Sequence, residues 1–284
     1  MNIAILGAGR IGSAFAFHLG RAGHQITLVA RGKRLERLRI DQGTIEAMNG
    51  ETTTAEVAEH LDMGIPWDLV LVTVLASQVD AVLPALSACA AASIIFMFNT
   101  FDDIQPLREA VGAHRARFAF PNMIAFLEQG RLRSVVSRPG MVTATDSEEW
   151  VALFKSAGLP AELRPDMQSY FRSHVAFVVP MMAAAHMTPP EGPGVTWRQA
   201  QNLAIALNAG LKLVVQQGHR LEPGFVVALA RLPRIIAAAM LWTFSRTKTN
   251  RDLAHFGPGE VRFLIDSMVE QAPGTTAALL NIKP

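Results

Sequence analysis

Asn2-Ile3-Ala4-Ile5-Leu6-Gly7-Ala8-Gly9-Arg10-Ile11-Gly12 is the stretch on which the rest of the chain turns. An apolar, β-rich run meets a G-x-G-x-x-G spacing, and Ile11 to Ala22 continues it as a helical pattern. Strand, glycine turn and helix in that order are what a pyrophosphate cradle requires. Gly7 permits the tight turn, Gly9 lets backbone approach a phosphate with no Cβ between them, and Gly12 lets the helix close onto the strand. The helix start then offers open amides and a partial positive charge. On this reading Gly7, Ala8, Gly9, Arg10, Ile11 and Gly12 bind a dinucleotide; the alternative is a glycine-rich turn with no ligand.

Working outward, Asn2 to Leu6, Gln25 to Ala30, Asp68 to Leu75 and Ser93 to Phe98 are nearly continuous in large apolar residues, as in strands buried on both faces. Ile11 to Ala22, Lys33 to Ile40, Ser77 to Ala90 and Asp102 to Val111 separate them as helices. That alternation predicts a doubly wound, Rossmann-like parallel sheet. Residues 43–60 suggest a small hairpin. Between Phe118 and Thr145 turn signals at Glu128-Gln129-Gly130 and Arg138-Pro139-Gly140 suggest an antiparallel addition, followed by a helix at Ser147 to Ser156 and a strand at Ala161 to Arg164.

Everything beyond Pro165 has helical spacing. Met167, Tyr170, Phe171, His174 and Val178 share one face, Leu203, Leu207, Leu211 and Val214 another, and Val261, Leu264, Ile265, Met268 and Val269 a third. Gly218 is placed as a helix C-cap, and Thr188 to Gly194 as a loop. The fold class is therefore α/β plus all-α: a dinucleotide-binding domain over residues 1–165 and an all-α substrate and dimerisation domain over 166–284.

Composition narrows the possible functions. Half of the 284 residues are apolar and 18% charged, which excludes a disordered or solvating chain. With 26 Lys and Arg against 24 Asp and Glu, a net charge of +2 is too small for a nucleic-acid footprint. Cys89 is the single cysteine, so no internal disulfide forms; no Cys/His cluster has metal-ligand spacing, and no metal is expected. Ala81 to Phe101 and Ser173 to Pro190 lack charged side chains, yet their prolines, serines and histidines favour buried core over a membrane span. With no export signal at Met1, a cytoplasmic protein without a membrane partner is expected.

The strand Ile26 to Ala30 ends in Arg31, where an NAD site usually places a carboxylate for the ribose 2′-OH. Arg31, with Lys33 and Arg34 nearby, offers donors to a 2′-phosphate, so NADP(H) is expected over NAD(H). A solvated basic helix face is the alternative. Asn99 lies just past a strand end, where open α/β sheets bind ligands, or else serves a turn.

Gly7 to Gly12, Ala22-Gly23-His24 and Leu28-Val29-Ala30-Arg31-Gly32 resemble the N-terminal domain of ketopantoate reductases (2-dehydropantoate 2-reductases), clearly over about the first 125 residues. The resemblance implies an NADPH-dependent reductase with a Rossmann domain and a helical domain. It implies cofactor roles for Thr73, which stands in place of a family lysine, for Gln78, and for Asn99, which matches an asparagine near the nicotinamide. The family also has a lysine early in the second domain and a late glutamate. No lysine occurs in Tyr170 to Val178; His174 takes its place as the catalytic candidate beside Asn99, an imidazolium able to give up a proton. A hydrogen-bonded core histidine is the other reading of His174. Arg172 falls off the apolar stripe, and Glu260 fits either the late glutamate or a helix-dipole position. The resulting expectation is reduction of a small 2-oxo acid or related carbonyl in the interdomain cleft, with a possible homodimer. A non-catalytic NADP(H)-binding sensor is the competing class.

Overall fold

The computed structural model describes residues 1–136, 141–188, 191–254, 257–272 and 276–284. Its contacts divide the chain into two compact units, Met1–Phe98 with Ile104–Met167, and Asn99–Asp103 with Gln168–Pro284. The second unit thus takes a five-residue piece from the middle of the first half.

The first unit contains all twelve strands of the described residues. They are β1 (Asn2–Leu6), β2 (Gln25–Val29), β3 (Thr44–Glu46), β4 (Thr52–Thr54), β5 (Glu56–Ala58), β6 (Leu69–Val72), β7 (Ser93–Phe96), β8 (Ala116–Phe120), β9 (Ile124–Glu128), β10 (Arg131–Val135), β11 (Thr143–Thr145) and β12 (Ala161–Leu163). Eight form one sheet in the order β12-β11-β8-β7-β6-β1-β2-β5. β5, β2, β1, β6, β7 and β8 run parallel, and β11 adds antiparallel to β8. Strand order reverses at β1, and ligands bind at the carboxyl ends of strands at such a switch point. The hairpin expected near residues 43–60 is β3–β4, and β9–β10 turns at Gln129-Gly130. The turn read at Arg138-Pro139-Gly140 lies outside the described residues, as does part of the Thr188–Gly194 loop.

Helices α1 (Arg10–Arg21), α2 (Gly32–Ile40), α3 (Leu83–Ala88), α4 (Gln105–Val111) and α5 (Glu148–Ser156) accompany the sheet. Ile3, Ile5, Leu69, Leu71 and Ile95 pack with Phe15 and Phe154, whose rings meet edge to face at 5.3 Å. The helix expected over Ser77 to Ala90 is instead a single 3₁₀ turn at Ala76–Gln78 followed by the short α3. Pro84 lacks the amide that a helix interior needs and is tolerated only in a first turn, so a new helix starts there. Pro106 likewise delays α4 to Gln105.

The second unit is all-helical in its described residues: α6 (Met167–His186), α7 (Trp197–Gln216), α8 (Gly224–Ala230), α9 (Arg234–Phe244), α10 (Lys248–Leu253), α11 (Pro258–Glu270) and α12 (Thr276–Leu280). α7 starts at a reciprocal cap: Thr196 Oγ1 accepts from the Gln199 amide, and Gln199 Oε1 accepts from the Thr196 amide at 2.8 Å. It ends at Gly218 with φ +82°, as its sequence implied. Leu203, Leu207, Leu211, Val214, Val261, Leu264 and Met268 share this unit's core. Arg172 is a correction: expected to fall away from the stripe of α6, it is 7% exposed. α6 is buried nearly all round, and the guanidinium donates to Gln217 Oε1 while lying over Phe101 at 5.3 Å. No single helix among the described residues is long and apolar enough to cross a membrane.

Candidate functional site

The turn after β1 is built from both sides. Gly7 has φ +105°, a conformation that favours glycine, and its amide donates to Val29 O at 3.1 Å. Thr73, just beyond β6, donates its hydroxyl to Gly7 O at 2.7 Å and its amide to Leu6 O at 2.8 Å. A Cβ on Gly12 would stand 1.9 Å from Gly7 O and 2.7 Å from Thr73 Oγ1, so helix, turn and β6 meet with no room for a side chain. At Gly9, the N-cap of α1, nothing lies within 4 Å of the place a Cβ would take. The three glycines therefore do three separate jobs, and only Gly9 faces open space.

Arg34 is a strut as well as a cation of the site, a role the sequence did not reveal. Its Nε donates to Ala8 O at 2.9 Å and its Nη2 donates to Ser13 Oγ at 3.0 Å, while Ser13 Oγ donates to Ala8 O at 3.2 Å. Burial lowers its pKa, but a guanidinium keeps its charge. Arg34 thus holds the glycine turn from α2 and places a positive charge beneath it.

At this turn opens a cleft of about 950 Å³, lined by Gly7, Ala8, Gly9, Arg10, Arg31, Arg34 and Gln78 and also by His60, Met63 and Leu127. Arg31 is exposed there at the N-cap of α2, and no described side chain engages its guanidinium. Gln78 Oε1 accepts from the Leu75 amide at 3.2 Å. Thr73 is not part of the cleft lining; its hydroxyl is spent on the turn. The volume, the open space over Gly9 and the cationic rim fit a dinucleotide. His60 and Met63 follow β5 in a polar loop, and nothing in their sequence pattern marks them.

The other candidates lie in the helical unit. Asn99 donates Nδ2 to Glu260 Oε1 at 2.8 Å, so the late acidic residue does more than face a helix dipole. A carboxylate partner settles which way the amide points. Asn99 Oδ1 is then buried and, among the described residues, has no hydrogen-bond partner. The segment is held along one face of α11: Asp102 Oδ1 accepts from Ser267 Oγ at 2.5 Å and from Gln271 Nε2 at 3.0 Å. Glu260, Ser267 and Gln271 are spaced by seven and four residues, the repeat of one helix face.

His174 lies partly buried on α6 with its ring edge-on to Phe177 at 6.5 Å. Burial pushes its pKa down from the ordinary 6.5 to about 3, so at neutral pH the ring is uncharged and the expected imidazolium is not present. This has a stability consequence. Since the unfolded chain takes up the proton near pH 6.5 and the folded chain only near 3, stability is complete above 6.5 and falls with decreasing pH between those values. Denaturant titrations of the parent at pH 7 and pH 5 should differ by about 2 kcal/mol more than those of His174→Gln. An identical gap in both proteins would show that the imidazole is not held neutral by burial.

A parallel sheet with its switch point at β1, a glycine turn under a cationic cleft and a helical second unit define a Rossmann-type fold joined to an all-α domain. The chain belongs to the ketopantoate reductase PanE/ApbA family, whose model matches residues 3–144. The 2-dehydropantoate 2-reductase of Vibrio cholerae serotype O1 is 33% identical over 141 residues, 49% of this chain and 43% of that protein. The match thus spans less than half of that relative. Among solved structures, 2-dehydropantoate 2-reductase from Geobacter metallireducens GS-15 superposes with a TM-score of 0.71 at 16% identity, covering 100% of this chain and 98% of that one. A D-mandelate dehydrogenase in complex with NADH gives a TM-score of 0.74 at 13% identity, covering 100% and 97%. At these identities the structural likeness speaks to the fold.

Proposed function

We propose that this protein is an NADPH-dependent oxidoreductase that reduces a small 2-oxo acid or related carbonyl compound. The observation that carries the reading is Arg31: an exposed, unengaged guanidinium at the end of β2, lining the glycine-turn cleft where an NAD site would carry a carboxylate. In this reading Gly7 to Gly12 receive the pyrophosphate, with Arg34 fixing Ala8 and Thr73 fixing Gly7. Arg31 pairs with the 2′-phosphate, and Gln78 borders the same cleft. When bound, NADPH supplies the hydride.

The residues of the helical unit handle polarity rather than bulk charge. Asn99, turned by Glu260, presents Oδ1 to a donor on the ligand. Neutral His174 would donate a hydrogen bond through its N–H to the carbonyl oxygen, and the proton that completes the reduction would come from solvent. A cytoplasmic location and a homodimer belong to the same proposal.

The competing reading is a non-catalytic NADP(H)-binding sensor. It draws on α6, which carries no lysine, turns its single arginine inward and holds His174 uncharged at pH 7. Titrating the protein with NADPH and NADH, then following NADPH oxidation against a panel of 2-oxo acids, aldehydes and imines, decides between them. Tight NADPH binding with turnover on at least one compound supports the reductase. Tight binding with no turnover moves the reading to the sensor, and equal affinity for both dinucleotides removes the Arg31 assignment.

A further inference from the structure

We propose that Asp102 is a positioning residue: it fixes where Asn99 points, and it is itself held by a directional chain of side chains that starts at Arg172. All of these residues belong to the helical unit. The five-residue piece Asn99–Asp103 is gripped along its length. Glu260 accepts from the Asn99 amide at 2.8 Å, the Phe101 ring is fully buried in the helical core, and Gln168 Nε2 donates to Asp102 O at 3.0 Å. Asp102 Oδ1 accepts from Ser267 Oγ and from Gln271 Nε2, and Gln271 Nε2 also donates to Phe101 O at 3.4 Å. Both amide protons of Gln271 are thus spent on this piece.

Behind that contact the donors all face one way. The Arg172 guanidinium donates to Gln217 Oε1, Gln217 Nε2 donates to Gln271 Oε1 at 3.5 Å, and Gln271 Nε2 donates to Asp102 Oδ1 at 3.0 Å. A guanidinium only donates and a carboxylate only accepts, so neither glutamine can flip its amide without setting like against like. Each link polarises the next, which makes the chain more rigid than its separate bonds. Arg172 is 7% exposed and lies over the Phe101 ring, and Asp102 and Asp103 oppose its charge. The buried cation therefore has its counter-charges on the very piece that it helps to hold.

What the bracing serves is Asn99. Its Oδ1 is buried and, among the described residues, without a hydrogen-bond partner, while Glu260 holds only the other atom of the amide. A single bond leaves a side chain able to swing about it. Asp102, three residues on, gives the piece a second fixed point on the same face of α11, so Oδ1 keeps one direction. Asp102 acts through Asn99.

Its effect on Asn99 needs no ligand, whereas its effect on turnover rests on the proposed role of Asn99 toward the ligand. In proton–nitrogen spectra, with the Asn99 side-chain pair assigned by its loss in Asn99→Ala, Asp102→Ala should speed solvent exchange of that pair about tenfold or more. Ser267→Ala removes one of the two bonds to Asp102 Oδ1 and should act in the same direction by less; it decides the matter should Asp102→Ala fail to fold. Asp102→Asn keeps the acceptor and should stay within about threefold of the parent. Turnover gives the second measurement. On a compound that the parent reduces, Asp102→Ala should lower kcat/KM about 10- to 100-fold in the parent but less than about twofold in Asn99→Ala, where nothing is left to position. A residue that merely stabilised the fold would cost the same in both backgrounds. Unchanged Asn99 exchange in Asp102→Ala and Ser267→Ala overturns the proposal, as does an equal loss of kcat/KM with and without Asn99. A parent that reduces nothing on the panel removes the reductase reading instead, and the exchange rates then decide this one.

Discussion

Gly12→Ala should unfold the glycine turn even though it adds one methyl group. The new carbon would stand 1.9 Å from a backbone carbonyl oxygen and 2.7 Å from Thr73 Oγ1. No side-chain rotation relieves a clash with backbone, so α1 must back away from β1 and β6, breaking the contacts through which Thr73 holds Gly7. Overpacking without an escape route costs about 3 kcal/mol, and NADPH affinity should fall below detection. Gly9→Ala is the matched control. Gly9 has φ −73° and open space around it, so alanine fits and stability stays within about 0.5 kcal/mol of the parent. Its Cβ nonetheless occupies the place where a phosphate would approach, and NADPH binding should weaken. Denaturant unfolding and cofactor titration on the two variants separate a structural glycine from a binding glycine. A Gly12→Ala protein as stable as the parent would show that the turn is looser than these contacts require.

Arg31→Asp should invert the cofactor preference. Charge-assisted hydrogen bonds from a guanidinium to a phosphate contribute about 1.5–3 kcal/mol, so Arg31→Ala should weaken NADPH binding roughly 10- to 150-fold and leave NADH nearly unchanged. The aspartate goes further, because it repels a 2′-phosphate and accepts from a 2′-hydroxyl. Folding should not suffer: Arg31 is exposed at the N-cap of α2 and makes no side-chain capping bond, and aspartate is a favoured N-cap residue. Should Arg31→Ala bind both dinucleotides as the parent does, the guanidinium has no part in the site.

Parts of this molecule are plain in the sequence because local physics enforces them. Gly7-Ala8-Gly9-Arg10-Ile11-Gly12 can be read because Gly7 needs a positive φ and Gly12 has no room for a Cβ, while Gly9 leaves the approach to the turn open. β1, β6 and β7 can be read because strands buried on both faces admit little but apolar residues. Arg31 could be placed because a strand end leaves it one position. Arg34 was visible as a nearby cation but not as a strut, since its partners are a carbonyl and a hydroxyl 26 and 21 residues away in sequence.

The helical half shows the limit more sharply. Periodicity found the faces of α7 and α11, yet it put Arg172 outside the core, because a wheel drawn for one helix cannot know that neighbours surround it. It offered His174 as an acid, but charge state depends on burial, which is a property of the packed unit. Glu260 looked like a dipole residue until the chain brought Asn99 to it across 161 positions. Sequence alone thus determined the backbone cradle, the sheet and the cation at the end of β2, all set by residues near one another along the chain. Only the tertiary structure decided what Arg34, Arg172, His174 and Glu260 do, because their chemistry is set by partners brought to them from elsewhere in the chain.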